Sequence, residues 1–173
     1  MKTLLCTFIA ASFVSGCAAL GGATGPRAVA NLAPTKGNTA SGTVSFEQHG
    51  AKVRVSGTIS GLKPGSEHGF HVHDKGDCSS GDGMSAGGHF NPLAKGHGHH
   101  GAADRHAGDM PNLRSDAYGN VSFSFETTGI AVGSGPTDIV GRGLIVHRDP
   151  DDYKSQPAGN AGPRLACAVI AKG

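Results

Sequence analysis

Apolar and polar residues alternate along several short segments of the chain, which is the pattern of half-buried β-strands. The clearest alternation runs through 120–126, 43–47 and 52–56, and the last two segments flank His49-Gly50, a predicted hairpin turn. Four further short apolar segments are also strand candidates: 27–32, 70–73, 143–147 and 165–170. With 29 glycines and almost no helical periodicity, the chain is predicted to be all-β, with about eight short antiparallel strands in a sandwich or flattened barrel.

One long segment, from Gly76 to about Asn112, has neither strand nor helix periodicity. A loop of this length is uncommon inside a compact domain and is usually functional. Among its residues are Cys78, His89, His97, His106 and Asp109, whose side chains can bind metal or form a disulfide. A metal and a disulfide could replace the missing secondary structure, so the loop itself indicates a binding site.

The N-terminal residues resemble a targeting segment. Lys2 precedes the apolar run 4–14, which has the length of a signal-peptide core and is too short to span a bilayer. The sequence Val14-Ser15-Gly16-Cys17 resembles the lipobox of bacterial lipoproteins, in which Cys17 would be lipidated and become the mature N-terminus. An ordinary secretory signal, cleaved near Ala18 or Ala19, is the alternative.

This segment predicts the organisation and location of the chain. Residues 1–16 are expected to be a lipoprotein-type signal peptide, 17–26 the lipidated cysteine with a flexible tether, and 27–173 one folded domain. The protein is therefore expected to be exported to the periplasm or cell envelope. It would be held to a membrane only through the lipid at Cys17, and the sequence does not indicate which membrane.

Cysteine usage agrees with export. Of the four cysteines, Cys6 lies in the signal segment and Cys17 would carry lipid. The remaining pair, Cys78 and Cys167, is expected to form a disulfide, since free buried thiols are less expected in an exported chain. Closing so long a loop stabilises by about 4–5 kcal/mol when the chain-entropy argument is applied.

Composition adds one strong signal, which is histidine. Seven of the ten histidines lie between His71 and His106, and imidazole is the commonest metal ligand. The 15 basic and 13 acidic residues are nearly balanced and form no basic run, which argues against nucleic acid as a partner. The sequence therefore indicates metal chemistry.

The pair His71 and His73 would lie on one face of a strand, about 7 Å apart along it, and could bind one ion. His147 ends another apolar strand and could supply a third nitrogen. An array of neutral imidazoles suits copper. A solvated polar strand face is the alternative for such a pair taken alone.

A second group lies in the long loop, where His89, His97, His106 and Asp109 are separated by eight, nine and three positions. Three nitrogens and one carboxylate match a closed tetrahedral zinc site. A His-rich solvent loop that binds metal loosely is the alternative. His99 and His100 keep the third ligand open, since either could replace His97.

Several separate motifs, in order, resemble the copper/zinc superoxide dismutase family over most of the chain, from about Val29 to Ile170. They are Phe70-His71-Val72-His73, Gly88-His89-Phe90-Asn91-Pro92, His106-Ala107-Gly108-Asp109, Val146-His147, and the run from Gly159 to Cys167. The segments 76–85 and 151–157 resemble the exported bacterial subclass of this family. The resemblance implies an eight-stranded Greek-key barrel with a long metal-binding and disulfide loop.

The resemblance also implies the ligand sets. Copper would be bound by His71, His73, His89 and His147, and zinc by His89, His97, His106 and Asp109. The family spacing selects His97 over His99 and His100. His89 would bridge the two ions as an imidazolate, a form that two divalent ions make accessible near neutral pH.

Further roles follow from the same resemblance. Asp151 matches an aspartate that joins His71 to His97, and Cys78–Cys167 matches the family disulfide. Arg164 matches an arginine at the mouth of the copper channel that attracts and orients a small anion. Asp151 alone would pass for a turn residue, and Arg164 alone for a surface residue.

The implied reaction is the dismutation of superoxide to dioxygen and hydrogen peroxide, protecting the cell envelope. Copper would cycle between two oxidation states beside a structural zinc, and His89 would act both as ligand and as proton carrier. The alternative from another functional class is a periplasmic copper/zinc store without catalysis. The oligomeric state, monomer or homodimer, is left open.

Overall fold

The computed structural model describes residues 25–173. The predicted signal peptide, Cys17 and residues 18–24 of the tether lie outside the described residues. Within them, no helix is long and apolar enough to cross a membrane.

Within residues 25–173 the elements are short β-strands and one 3₁₀ turn. The strands are β1 (Arg27–Pro34), β2 (Ser41–His49), β3 (Lys52–Ser60), β4 (Glu67–His68), β5 (Phe70–His73), β6 (Leu113–Arg114), β7 (Val121–Thr127), β8 (Gly143–His147), β9 (Arg164–Val169) and β10 (Ala171–Lys172). The 3₁₀ turn spans Met84–Ala86. The all-β prediction is therefore confirmed, although the two-residue strands β4, β6 and β10 were not predicted.

The strands form one curled antiparallel sheet with the order β5-β8-β9-β1-β2-β3-β7, and β10 pairs with β1. Strands β1, β2 and β3 follow one another as hairpins, whereas β8 and β9 reach the far side of β1 from the end of the chain. This crossover is typical of a Greek key. A separate pair, β4 with β6, lies beside the main sheet.

Alternation explains which face of the sheet is buried. In β3, Val53, Val55 and Ile59 are buried while Lys52 and Arg54 are exposed. Side chains from facing strands meet inside the curled sheet, where fully buried apolar residues form one continuous core. The core fixes the strand registers that carry the histidines.

Strands β5 and β8 are buried along their whole length and pair with each other. Their apolar residues Phe70, Val72, Leu144 and Val146 belong to the core. The pairing of β8 with β9 shifts register between Val146 and His147. Such a bulge redirects the side chain at the strand end, and here it lies at the histidine.

The segment 76–112 is irregular apart from the 3₁₀ turn at Met84–Ala86, as the sequence indicates. It is fastened to β9 by the disulfide between Cys78 and Cys167, whose Cα atoms are 5.9 Å apart. The predicted disulfide is thus present. Two isolated antiparallel bridges join the loop to β5, His73 with His89 and His71 with Asp109, and these place the loop ligands beside the strand histidines.

Candidate metal centre

Two groups of buried residues bring their potential ligand atoms within 4.8 Å of one another. We define the imidazole group as His71, His73, His89 and His147, and the loop group as His89, His97, His106 and Asp109. His89 belongs to both. The structure thus brings together the seven residues that the sequence singled out, and divides them as the resemblance implied.

The imidazole group is built on the sheet. His71 and His73 lie on β5, and His147 follows the bulge at the end of the neighbouring strand β8. The Nε2 atoms of His73 and His147 lie 3.4 Å apart. His89 reaches this group from the long loop, with its ring centroid 4.0 Å from that of His71.

Hydrogen bonds on the outer side fix three of these rings. His73 Nδ1 donates to Gly87 O at 2.9 Å, His147 Nδ1 donates to Gly162 O at 3.1 Å, and His71 Nε2 bonds Asp151 Oδ2 at 2.8 Å. A carbonyl oxygen can only accept, so the proton of the neutral ring lies on the outer nitrogen. The inner nitrogen is then left with a free lone pair, as a metal ligand requires.

Two inner nitrogens are otherwise without a partner. Among the described residues, His71 Nδ1 and His89 Nε2 are buried and make no hydrogen bond. Buried polar atoms are rarely left unpaired in native proteins, because the lost hydrogen bond to water is costly. A metal ion that accepts these lone pairs removes that cost, so the donor set fits a copper ion.

The loop group surrounds one carboxylate oxygen. Asp109 Oδ1 lies 2.8 Å from His89 Nδ1, 3.0 Å from His97 Nδ1 and 3.4 Å from His106 Nδ1. Ligands about 2.0–2.1 Å from a tetrahedral zinc ion are separated from each other by about 3.3 Å, so these distances suit zinc. The second oxygen of Asp109 accepts backbone N–H bonds from Gly98 and His106, which fix the carboxylate.

Burial and charge set the protonation of the centre. Burial is the main reason that the pKa of His89 falls to about 4 and that of His147 to about 3, with neighbouring imidazoles adding to the effect. Burial also lowers the pKa of His73 well below its usual value. These rings are therefore neutral near pH 7, which is the form that binds metal.

His97 has the opposite balance. Burial lowers the pKa of His97, but its hydrogen bonds to Asp109 and Asp151 outweigh this and raise that pKa to about 9. The pKa values of Asp109 and Asp151 lie far below the usual range, because the histidine hydrogen bonds outweigh burial, which would raise them. Both aspartates are therefore ionised, and their negative charge is available to a cation.

Asp151 connects the two groups directly. Its Oδ2 atom bonds His71 Nε2 at 2.8 Å, and its Oδ1 atom bonds His97 Nε2 at 2.9 Å. The aspartate is itself held by Tyr153 N–H, which donates to Oδ1, and by two hydrogen bonds with the side chain of Asn112. One carboxylate thus orients a ring in each group.

The sequence analysis did not predict several residues that support the site. Gln156 bonds both the N–H and the carbonyl of His97, each at 2.8 Å, and Asn112 bonds the backbone of Asp151. Gly159 lies so close to Asp151 that a Cβ at position 159 would come within 1.8 Å of Asp151 Oδ1. A lone amide or glycine gives no sequence signal of this kind, because its partner is far along the chain.

A cavity of about 240 Å³ leads to the imidazole group. Its lining includes Arg164, Met84 and three of the imidazoles, those of His73, His89 and His147. Arg164 donates to Gly83 O and Gly87 O, each at 2.6 Å, so its guanidinium is fixed at the cavity wall. A larger cavity of about 670 Å³ lies at the ends of β2, β3 and β7, and it has no histidine or cysteine in its lining.

The remaining histidines lie outside both groups. His99 and His100 pack against each other, with ring centroids 4.0 Å apart, and His99 contacts Tyr153. The loop thus places His97, and not its neighbours, at Asp109. His68 lies on β4 and is fully buried, and its Nδ1 donates to the carbonyl of His147.

The fold and the site together define an all-β protein with two adjacent metal sites that share one imidazole. A family model described as copper/zinc superoxide dismutase matches residues 40–170. A superoxide dismutase [Cu-Zn] of Paramecium bursaria Chlorella virus 1 is 44% identical over 135 residues, covering 75% of this chain and 71% of that protein. Superoxide dismutase [Cu-Zn] 2 of Brassica juncea is 48% identical over 136 residues, covering 75% and 88%.

A solved structure is also similar. The crystal structure described as that of the clock protein EA4 has a TM-score of 0.77 and 43% identity, covering 84% of this chain and 93% of that one. The chain belongs to the copper/zinc superoxide dismutase family. It is an enzyme that dismutes superoxide, and its cofactors are copper and zinc.

Proposed function

We propose that this protein removes superoxide in the cell envelope, with copper bound by the imidazole group and zinc by the loop group. The observation that carries the assignment is the position of His89. Its Nδ1 lies 2.8 Å from Asp109 in the loop group, while its Nε2 is buried and unpaired beside the imidazole group. One ring with both nitrogens directed at donor sets is what a bridging ligand requires.

The donor sets support a division of labour between the ions. The loop group is closed and contains a carboxylate, which suits a structural zinc. The imidazole group consists only of neutral nitrogens and adjoins the cavity, which suits a copper that small molecules can reach. Copper, when bound, supplies the one-electron redox cycle that oxidises one superoxide to dioxygen and reduces a second to hydrogen peroxide.

The protein's own residues bind, orient and supply protons. The fixed guanidinium of Arg164 attracts the superoxide anion into the cavity and orients it beside the imidazoles. Nε2 of His89 can hold a proton and pass it on to the departing peroxide. Asp151 orients the rings of His71 and His97, and this keeps their inner nitrogens directed at the ions.

A copper/zinc store without catalysis would need the ligands alone. It would gain nothing from a guanidinium fixed at the cavity wall, since a cation there opposes metal entry. The decisive experiment is a superoxide-removal assay on the mature domain loaded with both metals, together with anomalous scattering at the copper and zinc edges. Absence of activity with both ions bound would overturn the proposal, and zinc in the imidazole group would overturn the division of sites.

The location in the envelope is supported by the sequence before the described residues and by the disulfide. The run 4–14 and the lipobox-like Val14-Ser15-Gly16-Cys17 are typical of an exported lipoprotein, and Cys78–Cys167 is stable outside the reducing cytosol. We expect Cys17→Ser to move the protein from the membrane fraction to the soluble fraction on cell fractionation. Equal partitioning of the two proteins would contradict a lipid anchor.

A further inference from the structure

We propose that Met84 is an entry ligand for Cu(I): its thioether takes up the ion at the mouth of the cavity and passes it to the imidazole group by ligand exchange. No electron is transferred in this step, because thioether and imidazoles in turn accept the same monovalent ion. The inference rests on the proposed copper assignment and adds a route by which the ion arrives.

Met84 differs from the other methionine of the folded domain in its exposure. The residue is 60% exposed, whereas Met110 is fully buried in the core. Met84 lines the same cavity as His73, His89 and His147, three members of the imidazole group. Leu93, Tyr118 and Val169 are exposed as well, but among the described residues Met84 is the one exposed large apolar residue that lines this cavity.

The backbone beneath Met84 is firmly held although the side chain is exposed. Its N–H donates to Asp82 Oδ1 at 2.9 Å, and its carbonyl accepts the Gly87 N–H at 3.1 Å. Arg164 spans the turn, since it donates to the carbonyls of Gly83 and Gly87 on either side. The backbone that carries the thioether is therefore fixed beside the cavity, while the side chain itself stays free to move.

The same turn is joined to the metal centre. The carbonyl of Gly87 accepts a hydrogen bond from Arg164 and another from Nδ1 of His73. The element that holds the thioether thus also sets the ring that would next receive the ion. Beyond it, His89 Nε2 is buried without a hydrogen-bond partner among the described residues and offers a further lone pair.

The chemistry of the rim favours Cu(I) over other ions. Thioether sulfur is a soft ligand that selects Cu(I), and it gives little to zinc or to a superoxide anion. The guanidinium of Arg164 repels any cation that enters, and this repulsion is half as large for a monovalent ion as for a divalent one. A neutral soft ligand at the mouth offsets that repulsion for Cu(I) selectively.

Methionine-methyl NMR of the zinc-loaded, copper-free mature protein tests the contact directly. Ag⁺, a closed-shell monovalent ion with the same preference for thioethers, serves as the probe. We expect the methyl signal of Met84, assigned through Met84→Leu, to shift on addition of Ag⁺. The methyl signal of buried Met110 is the internal control and should stay in place. An unmoved Met84 signal would overturn the proposal.

Copper uptake kinetics test the function of the contact. Cu(I) is supplied without oxygen as its acetonitrile complex, and Cu(II) is supplied separately. We expect Met84→Leu to slow Cu(I) uptake about tenfold, as for the loss of one ligand contact in the rate-limiting step, and to change Cu(II) uptake less than about twofold. Met110→Leu is the matched variant and should change neither rate.

The outcomes separate this inference from the assignment on which it rests. If Met84→Leu slows both ions equally, Met84 acts as a steric gate and the Cu(I) role is wrong. If Met84→Leu took up Cu(I) at the wild-type rate, the proposal would also be wrong. If the wild-type protein placed copper outside the imidazole group, as read by its visible spectrum and anomalous scattering, the copper assignment itself would fail.

Discussion

Each strand-borne histidine of the imidazole group is oriented through the nitrogen that faces away from the group. His73 and His147 donate to backbone carbonyls, and His71 bonds the carboxylate of Asp151. Each inner nitrogen is therefore unprotonated, with its lone pair directed into the group, before any metal binds. Metal specificity at the scale of the residue depends as much on these outer partners as on the ligands.

His147 tests the division of the two groups, because it belongs to the imidazole group only. We expect His147→Ala to abolish superoxide removal and to lower copper binding by about 10–100-fold or more, with zinc retained at one ion per chain. Metal analysis of the purified variant measures both. Loss of zinc to the same extent as copper would mean that the groups are not separable.

Substitution of Arg164 tests whether its positive charge attracts superoxide into the cavity. We expect Arg164→Glu to lower the superoxide-removal rate by at least about tenfold at low salt and to remove the rate decrease that salt causes in the wild type. Arg54→Glu, an exposed change of equal charge on β3, is the control and should leave the rate nearly unchanged. An equal effect of both variants would assign the loss to net charge and not to the cavity.

At the scale of the element, period-two alternation predicted the long strands and failed for the shortest. β2, β3 and β7 alternate over seven to nine residues, whereas β4, β6 and β10 have two residues each, too few to show a period. Without the family resemblance, the histidine positions located the site but did not separate His97 from His99 and His100. In the structure, Gln156, 59 residues away along the chain, hydrogen-bonds the backbone of His97 and fixes it beside Asp109.

The long loop 76–112 depends on its covalent and polar attachments. The disulfide joins positions 89 residues apart, and Arg164 bonds the loop at Gly83 and Gly87. We expect the Cys78→Ser/Cys167→Ser double variant to lose up to about 4–5 kcal/mol of stability and to be cleaved faster within 76–112. Limited proteolysis with mass spectrometry measures this, with zinc loading held equal. Unchanged protease resistance would show that metal and hydrogen bonds alone hold the loop.

At the scale of the whole molecule, the folded domain holds several buried imidazoles beside two ionised aspartates. Without metal, this arrangement ties the free energy of unfolding to pH. His89 and His147 have lowered pKa values, whereas His97 has a raised one. The lowered pKa values affect stability below the ordinary histidine pKa of about 6.5, and the raised pKa of His97 affects it above that value.

For the metal-free protein, we expect stability to be greatest near pH 6.5. As the pH falls from about 6.5 towards about 4, His89 and His147 become protonated in the unfolded chain but stay neutral in the folded protein. Each of these groups then lowers the free energy of unfolding by about 1.4 kcal/mol per pH unit. The contribution of His97 is complete below about 6.5 and is lost as the pH rises through about 9. Urea unfolding of metal-free protein across this range measures both arms. A flat profile would contradict the prediction.

The two metal groups share the ring of His89, and Asp151 bonds one further ring in each of them. Because His89 has one nitrogen directed at each group, an ion bound in either group acts on a ligand of the other, and the two binding equilibria are coupled. Thermodynamic linkage then makes the cooperativity reciprocal: whatever factor zinc adds to the affinity for copper, copper adds to the affinity for zinc. The order in which the ions arrive changes the path of assembly but not the free energy of the fully loaded enzyme.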